Sequence, residues 1–503
     1  MNMTIASLDL GTTHTKAGLF SSEGKLLRVA TRKTSTHHSP AGNAYYDPGE
    51  IVAAVYDLLN ELSQDIEKPN IAGLGIASMA ETGLLIDRIT GTPLTPLLPW
   101  FDSAAASKVQ YLIDADHPRE RFYRFGIRPN FKCAVAKLLW LQQEDPNLLE
   151  NSLWLNTADY VAFILSGSRS TETSLAGRTY AFRIDQNMWD KDWLKDLNIP
   201  SHVFPPAVNS GQSVGKVGRD AASLTGLLEG TPVSICGHDH VCAAFAGIGM
   251  DTQKVFDSMG TAEALIGRFP KPALGVEEYQ SGLVFGRYVS GEGLYWMGGL
   301  SSSGGSLDWL RSVLSDPPLS YLELKEILDQ SSPGPTGIIY LPYLTGSGSP
   351  HTDIHARGAF FGLKRSHSQA DLVKAILEGT AYEAEVIRMQ AKVVIEKEIN
   401  SITASGGGTN LSSWMMTKAN VSGCTIEVPR TSEATLLGAA LIAGIGLGIY
   451  QDAHEARSIA RCEPLAIYHP ENVFHIQYRR LFEEVFLPLQ APVRAISHRL
   501  AGW

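Results

Sequence analysis

One short pattern occurs twice in the chain. IASLDLGTTHTKAGLF (residues 5–20) and VFDSMGTAEALIGRF (255–269) each read as a strand, a Gly-Thr turn and a second strand. Recurrence of that unit about halfway through 503 residues predicts two related α/β halves, each offering one such turn. No longer repeat joins them. TIASLDLG, THTKAGLF and KLLRVATRKT alternate strand with turn, and IAGLGIAS and TGLLID follow as short strands. Between these groups, DPGEIVAAVYDLLNELSQDI carries helix-start signals: Asp47 as N-cap, Pro48 in the first position and Glu50 to complete a capping box. In the second half, SQADLVKAILEGTAYEAEVIRMQAKVV predicts a long amphipathic helix. ITASGGGTNLSSW predicts a strand that runs through a glycine-rich turn into a helix.

Composition narrows the function classes. A formal charge of −10 and a pI near 5.8 argue against a nucleic-acid partner, because phosphate binding needs basic surface. Five cysteines (Cys133, Cys236, Cys242, Cys424, Cys462) are scattered and never spaced as CxxC, which speaks against a disulfide framework or structural zinc and for a reducing cytoplasm. MNMTIASLDLGTT has no basic n-region, and Asp9 interrupts its apolar stretch, so no signal peptide is expected. The longest uncharged run, ATLLGAALIAGIGLGIYQ (434–451), is short of the roughly 20 apolar residues of a membrane span. It predicts a buried helix followed by a glycine-marked turn, with no membrane partner.

The two turns suggest what the halves hold. Glycine-rich turns bring backbone N–H groups close to an anion, and threonine hydroxyls add donors. Asp9-Leu10-Gly11-Thr12-Thr13 does this and adds a carboxylate suited to hydrated Mg²⁺, while Lys16 offers a positive charge for phosphate. Gly260 and Thr261 repeat the turn, so a polyphosphate gripped from both sides is the expectation. Gly406-Gly407-Gly408 allows close approach of backbone to a nucleotide but lacks GxGxxG spacing, which disfavours NAD. Asp239, in ICGHDHVCAAFAGIG (235–249), is a carboxylate among apolar residues, costly unless it is paired or binds something. A metal site with His238 and His240, a catalytic base, and a helix-capping turn are the three readings. Residues i and i+2 of an extended segment face opposite ways, so the two histidines are not expected to share an ion.

DLGTTHTK, GHD, SMGTAE, SGGGTN and above all GAFFGLKRSHSQADLVKAILEG (358–379) resemble the FGGY carbohydrate kinases. The last segment matches the family's C-terminal signature at Gly358, Phe360, Gly362, Leu363, Asp371, Leu372, Ala375, Glu378 and Gly379; the N-terminal signature is present in part, as KLLWLQQE from Lys137. The resemblance implies an α/β fold of two ribonuclease H-like domains of the actin and hexokinase type, flanking a catalytic cleft. Residues 1–250 would carry the sugar and the catalytic base, and 251–503 the nucleotide and a C-terminal helical tail. It implies ATP and Mg²⁺ as cofactors, with Asp9 on the metal through water. Thr12, Thr13, Lys16, Gly260, Thr261, Gly304, Asp308, Gly407, Gly408 and Asn410 would face ATP, and Asp239 would be the general base.

The resemblance also implies substrate contacts from Glu81, Thr82, Trp100, Asp102 and His240. The Glu81-Thr82 pair is similar to that of glycerol kinases, but Ala80 stands where those enzymes have arginine; Ser103 replaces another arginine after Asp102, and GSGSP (346–350) departs from a G-E-R-x-P element. Carboxylates at 81 and 102 suit a neutral polyhydroxy substrate, and Asp102 as a helix cap is the bland alternative. The expected activity is phosphorylation of an open-chain sugar or polyol, a ketopentose such as xylulose or ribulose before glycerol. Competing readings are an actin-like or chaperone-like nucleotide-binding protein and a sugar sensor without catalysis. A homodimer is compatible with either enzyme reading. Trp140, Trp296 and Trp309 sit in apolar periodic stretches and are expected in the core, and a hinge is expected near 250–258.

Overall fold

A computed structural model describes residues 3–64, 71–115, 117–460 and 463–500; Cys462 lies outside them. Two mixed sheets form the frame. The six-stranded sheet runs in the order Ser213–Lys216, Pro232–His238, Ile71–Ser78, Thr4–Leu10, His14–Ser21, Leu26–Lys33. The seven-stranded sheet runs Val284–Arg287, Leu294–Leu300, Glu263–Phe269, Lys254–Met259, Ser401–Ser405, Thr425–Val428, Ala466–Tyr468. In each, an antiparallel hairpin across a Gly-Thr turn is flanked on one side by a third antiparallel strand and on the other by two parallel ones. The brief sequence echo is therefore a repeat of topology.

Parallel pairing aligns strand ends. Leu10 pairs with Ser78 and Ser78 with His238, so the turns after three strands emerge side by side at the carboxyl edge of the first sheet. Ser258 pairs with Ser405, which sets the second Gly-Thr turn beside the Gly406–Gly408 turn. In open α/β sheets, ligands bind at such edges.

Two apolar helices join the halves. Ala434–Gly446, from the run read as a buried helix, packs on the first sheet: a Cβ at Gly75 would lie 2.6 Å from Ala439 O. Asp239–Ile248 leaves the first sheet and packs on the second, where a Cβ at Gly247 would meet the Phe256 ring at 2.5 Å. The two helices touch backbone to backbone, since a Cβ at Gly438 would sit 1.9 Å from Cys242 O. Each half thus covers a face of the other through one helix.

Several local expectations change. Asp47 caps the helix Pro48–Ser63 as expected, but the Glu50 carboxylate turns to His37 Nε2 at 2.8 Å instead of closing a capping box. The expected hinge overlaps the strand Lys254–Met259, which is paired on both edges, so the irregular link is only 249–253. Trp296 is fully buried, and Trp140 packs partly buried against the core. Trp309 is 39% exposed and stacks on Phe360 at 6.5 Å, because it lies on the outer side of the helix Gly304–Leu314.

The 358–379 signature is a packing unit. Glu378 is buried on the long helix Gln369–Ile395, where it accepts from Thr336 N and Tyr478 Oη, and a Cβ at Gly379 would lie 2.3 Å from Tyr340 O. The helices Asn472–Leu481 and Leu487–Leu500 form the C-terminal tail against it. No helix among the described residues is long and apolar enough to cross a membrane.

Candidate active site

Asp239 is the first residue of its helix, where the dipole favours negative charge. Its Oδ1 accepts from His240 N at 2.6 Å and lies 3.2 Å from His238 Nε2. Among the described residues nothing hydrogen-bonds its Oδ2, and the side chain is 18% exposed. A chain of bonds fixes the turn into this helix. His238 N donates to Ser174 Oγ at 3.0 Å, and Ser174 Oγ donates to the buried Glu172 carboxylate at 2.6 Å. Gly237 is needed for that chain rather than for substrate approach: its φ is +120°, and a Cβ there would meet Ser174 Oγ at 2.5 Å.

The two histidines meet edge-on, ring centroids 5.5 Å apart, because the backbone turns helical at Asp239 instead of staying extended. The expectation of opposite faces is thus corrected. Burial holds the His238 imidazole well below its usual pKa, aided by His240 and Arg178, so it is neutral at pH 7. No three His, Cys, Asp or Glu side chains among the described residues are grouped so as to hold a metal ion.

Asp9 is next to last in the strand Thr4–Leu10, which is separated from the strand before Asp239 by Ile71–Ser78. Its Oδ1 is buried with no hydrogen-bond partner. Burial first, and then the Asp239 carboxylate, push the Asp9 pKa up to about 8. An orphaned carboxylate oxygen facing a second carboxylate suits a hydrated divalent cation, which keeps most of its waters and takes one or two carboxylates. Lys16 reaches Glu433 at the head of the other half's helix, Nζ to Oε2 2.8 Å, so its charge is already matched by a carboxylate.

The remaining residues join these two. Trp100 Nε1 donates to Thr12 Oγ1 at 3.0 Å, and Trp100 N donates to the fully buried Thr82 Oγ1 at 3.1 Å. Thr82 therefore positions Trp100. Asp102 accepts from Ala44 N at 2.7 Å and Ala104 N at 2.9 Å, which ties two loops together. Glu81 holds a left-handed φ of +61°, a strained conformation of the kind that clusters at functional sites. Its carboxylate meets Arg178 Nη2 at 2.8 Å, so an arginine distant in sequence stands beside it where Ala80 supplies none. Lys137, from the partial N-terminal signature, donates to the carbonyls of Glu81, Leu98 and Pro99, and burial pushes its pKa down to about 8.

On the second sheet, Gly304 N donates to Gly260 O at 3.1 Å and Ser303 N to Thr261 O at 2.9 Å. Gly407 and Asn410 are exposed in the turn after Ser405, Gly408 is half-buried, and a Cβ at Gly406 would meet Met259 O at 2.4 Å. Gly260, Thr261, Gly304, Gly407 and Gly408 are thus brought together. Asp308 is turned to Arg311 at 2.7 Å and Tyr321 Oη at 2.8 Å, and Thr13 is exposed with its carbonyl bound to Thr34 N. Sequence reasoning missed Arg178 and Glu172; only Glu433, a charge just before an apolar run, carried a local signal.

The geometry agrees with what the chain resembles. Residues 4–246 match the model of the FGGY family of carbohydrate kinases, N-terminal domain, and 257–447 its C-terminal domain. Among curated relatives, a xylulose kinase of Staphylococcus epidermidis is 26% identical over 494 residues, 96% of each chain. A glycerol kinase of Thermus brockianus is 29% identical over 459 residues, 88% of this chain and 90% of that one. Among solved structures, a gluconate kinase from Lactobacillus acidophilus superposes with a TM-score of 0.90 at 22% identity, covering 99% of this chain and 100% of that one. A xylulose kinase from Rhodospirillum rubrum gives 0.87 at 25% identity, covering 98% and 100%. The chain belongs to the FGGY family of carbohydrate kinases.

Proposed function

We propose that this carbohydrate kinase phosphorylates a hydroxyl of an open-chain sugar or polyol with ATP, and that Asp239 is its general base. The observation that carries this is the Asp239 carboxylate, with Oδ2 unbonded, beside Asp9 at the carboxyl edge of the first sheet. The acceptor lies against residues 1–250, with Glu81, Trp100 and His240 around it, and the nucleotide lies against 251–503. Thr82 and Asp102 support that wall from behind. We favour a ketopentose such as xylulose or ribulose as the acceptor, with glycerol as the shorter alternative; curated relatives named xylulose kinase and glycerol kinase support a neutral acceptor of this kind.

Asp239 orients the acceptor hydroxyl by accepting its hydrogen bond at Oδ2. As oxygen attacks the terminal phosphorus, the proton passes to that carboxylate and ADP departs. His238 N, tied to Ser174, keeps the helix start from shifting during transfer. Mg²⁺, when bound, neutralises phosphate charge, and Asp9 would hold it through water. The N–H groups of the second Gly-Thr turn and of the Gly406–Gly408 turn receive the phosphates and the nucleotide.

Asp239→Asn keeps size and polarity but cannot take the proton. The expected result is a fall in kcat of at least about 10²-fold with ATP and acceptor binding retained. Near-normal turnover in that variant would remove the base assignment.

A further inference from the structure

A buried ion cluster lies behind the turns of the second half. Asp257 leads into the Gly260-Thr261 turn and Glu263 leads out of it, on the two strands of one hairpin. Glu263 pairs with Met259, so Asp257, two residues earlier on that strand, points to the same face of the sheet. Lys418, from the helix Ser412–Ser422, donates through Nζ to Asp257 Oδ2 at 2.8 Å and to Glu263 Oε1 at 2.6 Å. The other Glu263 oxygen accepts from Ser303 Oγ at 2.6 Å. All four side chains are buried.

Each segment that meets at this ammonium leads to a turn read above as binding the nucleotide. Asp257 and Glu263 carry the Gly-Thr turn itself. Ser303 precedes the helix Gly304–Leu314, and its N donates to Thr261 O at 2.9 Å. The helix of Lys418 follows the Gly406–Gly408 turn, which lies against Met259. The fold does not itself demand charge here, because Leu8 takes the place of Asp257 in the first hairpin and is fully buried. Burial, and then the Glu263 charge, push the Asp257 pKa up to about 7, so the second negative charge is only partly present near neutral pH. Buried ion clusters are weak sources of stability, since desolvation offsets most of their attraction. Short charged hydrogen bonds do, however, fix geometry.

We propose that Lys418 is a positioning residue for the nucleotide: through Asp257, Glu263 and Ser303 it holds the Gly-Thr turn, the helix start at Gly304 and the Gly406–Gly408 turn at the spacing that MgATP needs. This rests on the reading that these turns receive ATP. Lys418 is itself buried, so it acts through the turns and not by touching a phosphate.

The test is calorimetry with Mg²⁺ and a non-hydrolysable ATP analogue, beside midpoints of chemical denaturation. In Lys418→Met the analogue should bind about 10- to 100-fold more weakly, the range of one charge-assisted hydrogen bond. Ser303→Ala, which cuts only the link to the helix start, should weaken binding less. Both changes act through Glu263, so adding Ser303→Ala to Lys418→Met should weaken binding little further. A lower midpoint in Lys418→Met with unchanged affinity would make the cluster structural only and overturn the proposal. If Lys418→Met does not fold, Ser303→Ala decides alone: weaker binding by the folded protein supports the proposal, and unchanged binding overturns it. Gly407→Leu tests the underlying reading, because a Cβ at 407 meets no protein atom within 4 Å and would meet only a ligand. Full affinity in Gly407→Leu would take the nucleotide away from these turns and the proposal with it, whereas lost affinity there with Lys418→Met unaffected would sink the proposal alone.

Discussion

Asp239 and His238 share one short contact, yet they have different work to do. Asp239 is partly exposed at a helix start, while His238 is buried and neutral, with Nε2 turned to Asp239 Oδ1. His238→Ala should remove only a 3.2 Å contact to Oδ1, not the Oδ2 that meets the hydroxyl, and so lower kcat only several-fold beside the far larger loss in Asp239→Asn. Steady-state kinetics on the two variants checks the order; an equal loss would mean that the imidazole moves the proton. Asp239 and Asp9 were legible in the sequence because a carboxylate among apolar neighbours must have a reason. Arg178 was not, since its partner Glu81 lies 97 residues away and no pattern links them.

At the scale of elements, the helices Asp239–Ile248 and Ala434–Gly446 carry the packing that positions both edges. Gly438→Ala would drive a methyl into Cys242 O, where 1.9 Å separates the built Cβ from that carbonyl. The expected loss is about 1–3 kcal/mol, read as a lower midpoint in chemical denaturation, and an unchanged midpoint would show that the helices separate freely. The apolar run was readable as a buried helix. That it covers the sheet of the other half was not, because periodicity says which residues are buried and not against what. The long helix offers a pH test. Burial pushes Glu383, which accepts from Tyr343 Oη and Gln490 Nε2, up to about 7. The folded state then holds a proton that the unfolded state releases near pH 4.5, so this group lowers stability as pH rises from about 4.5 to 7. Glu383→Gln lacks the effect: its melting temperature should gain on the wild type across that window and keep a constant offset above it. A constant offset throughout would contradict the buried carboxylic acid.

The molecule as a whole is two copies of one topology, tied by the two helices packed between the sheets and by Lys16 on Glu433. The residues proposed for the acceptor lie in the first half and the turns proposed for the nucleotide on the second sheet, so the proposed chemistry needs the halves to approach. Pivoting at 249–253, they should close when an acceptor and a non-hydrolysable ATP analogue bind together, seen as a smaller radius of gyration in solution scattering. An unchanged radius at verified saturation would count against closure. The two-half plan was legible from a pair of Gly-Thr turns and the family signature. The wall around Glu81 was not, because Arg178, Lys137 and Glu81 come from segments without a shared motif. The most direct measurement is transfer of the terminal phosphate of labelled ATP by the purified protein, with and without open-chain polyhydroxy acceptors. Labelled phospho-acceptor formed in step with ADP, and little ADP without acceptor, is the predicted result. ADP released at the same rate whether or not an acceptor is present, with no labelled product, would contradict it and restore a nucleotide-driven binding protein.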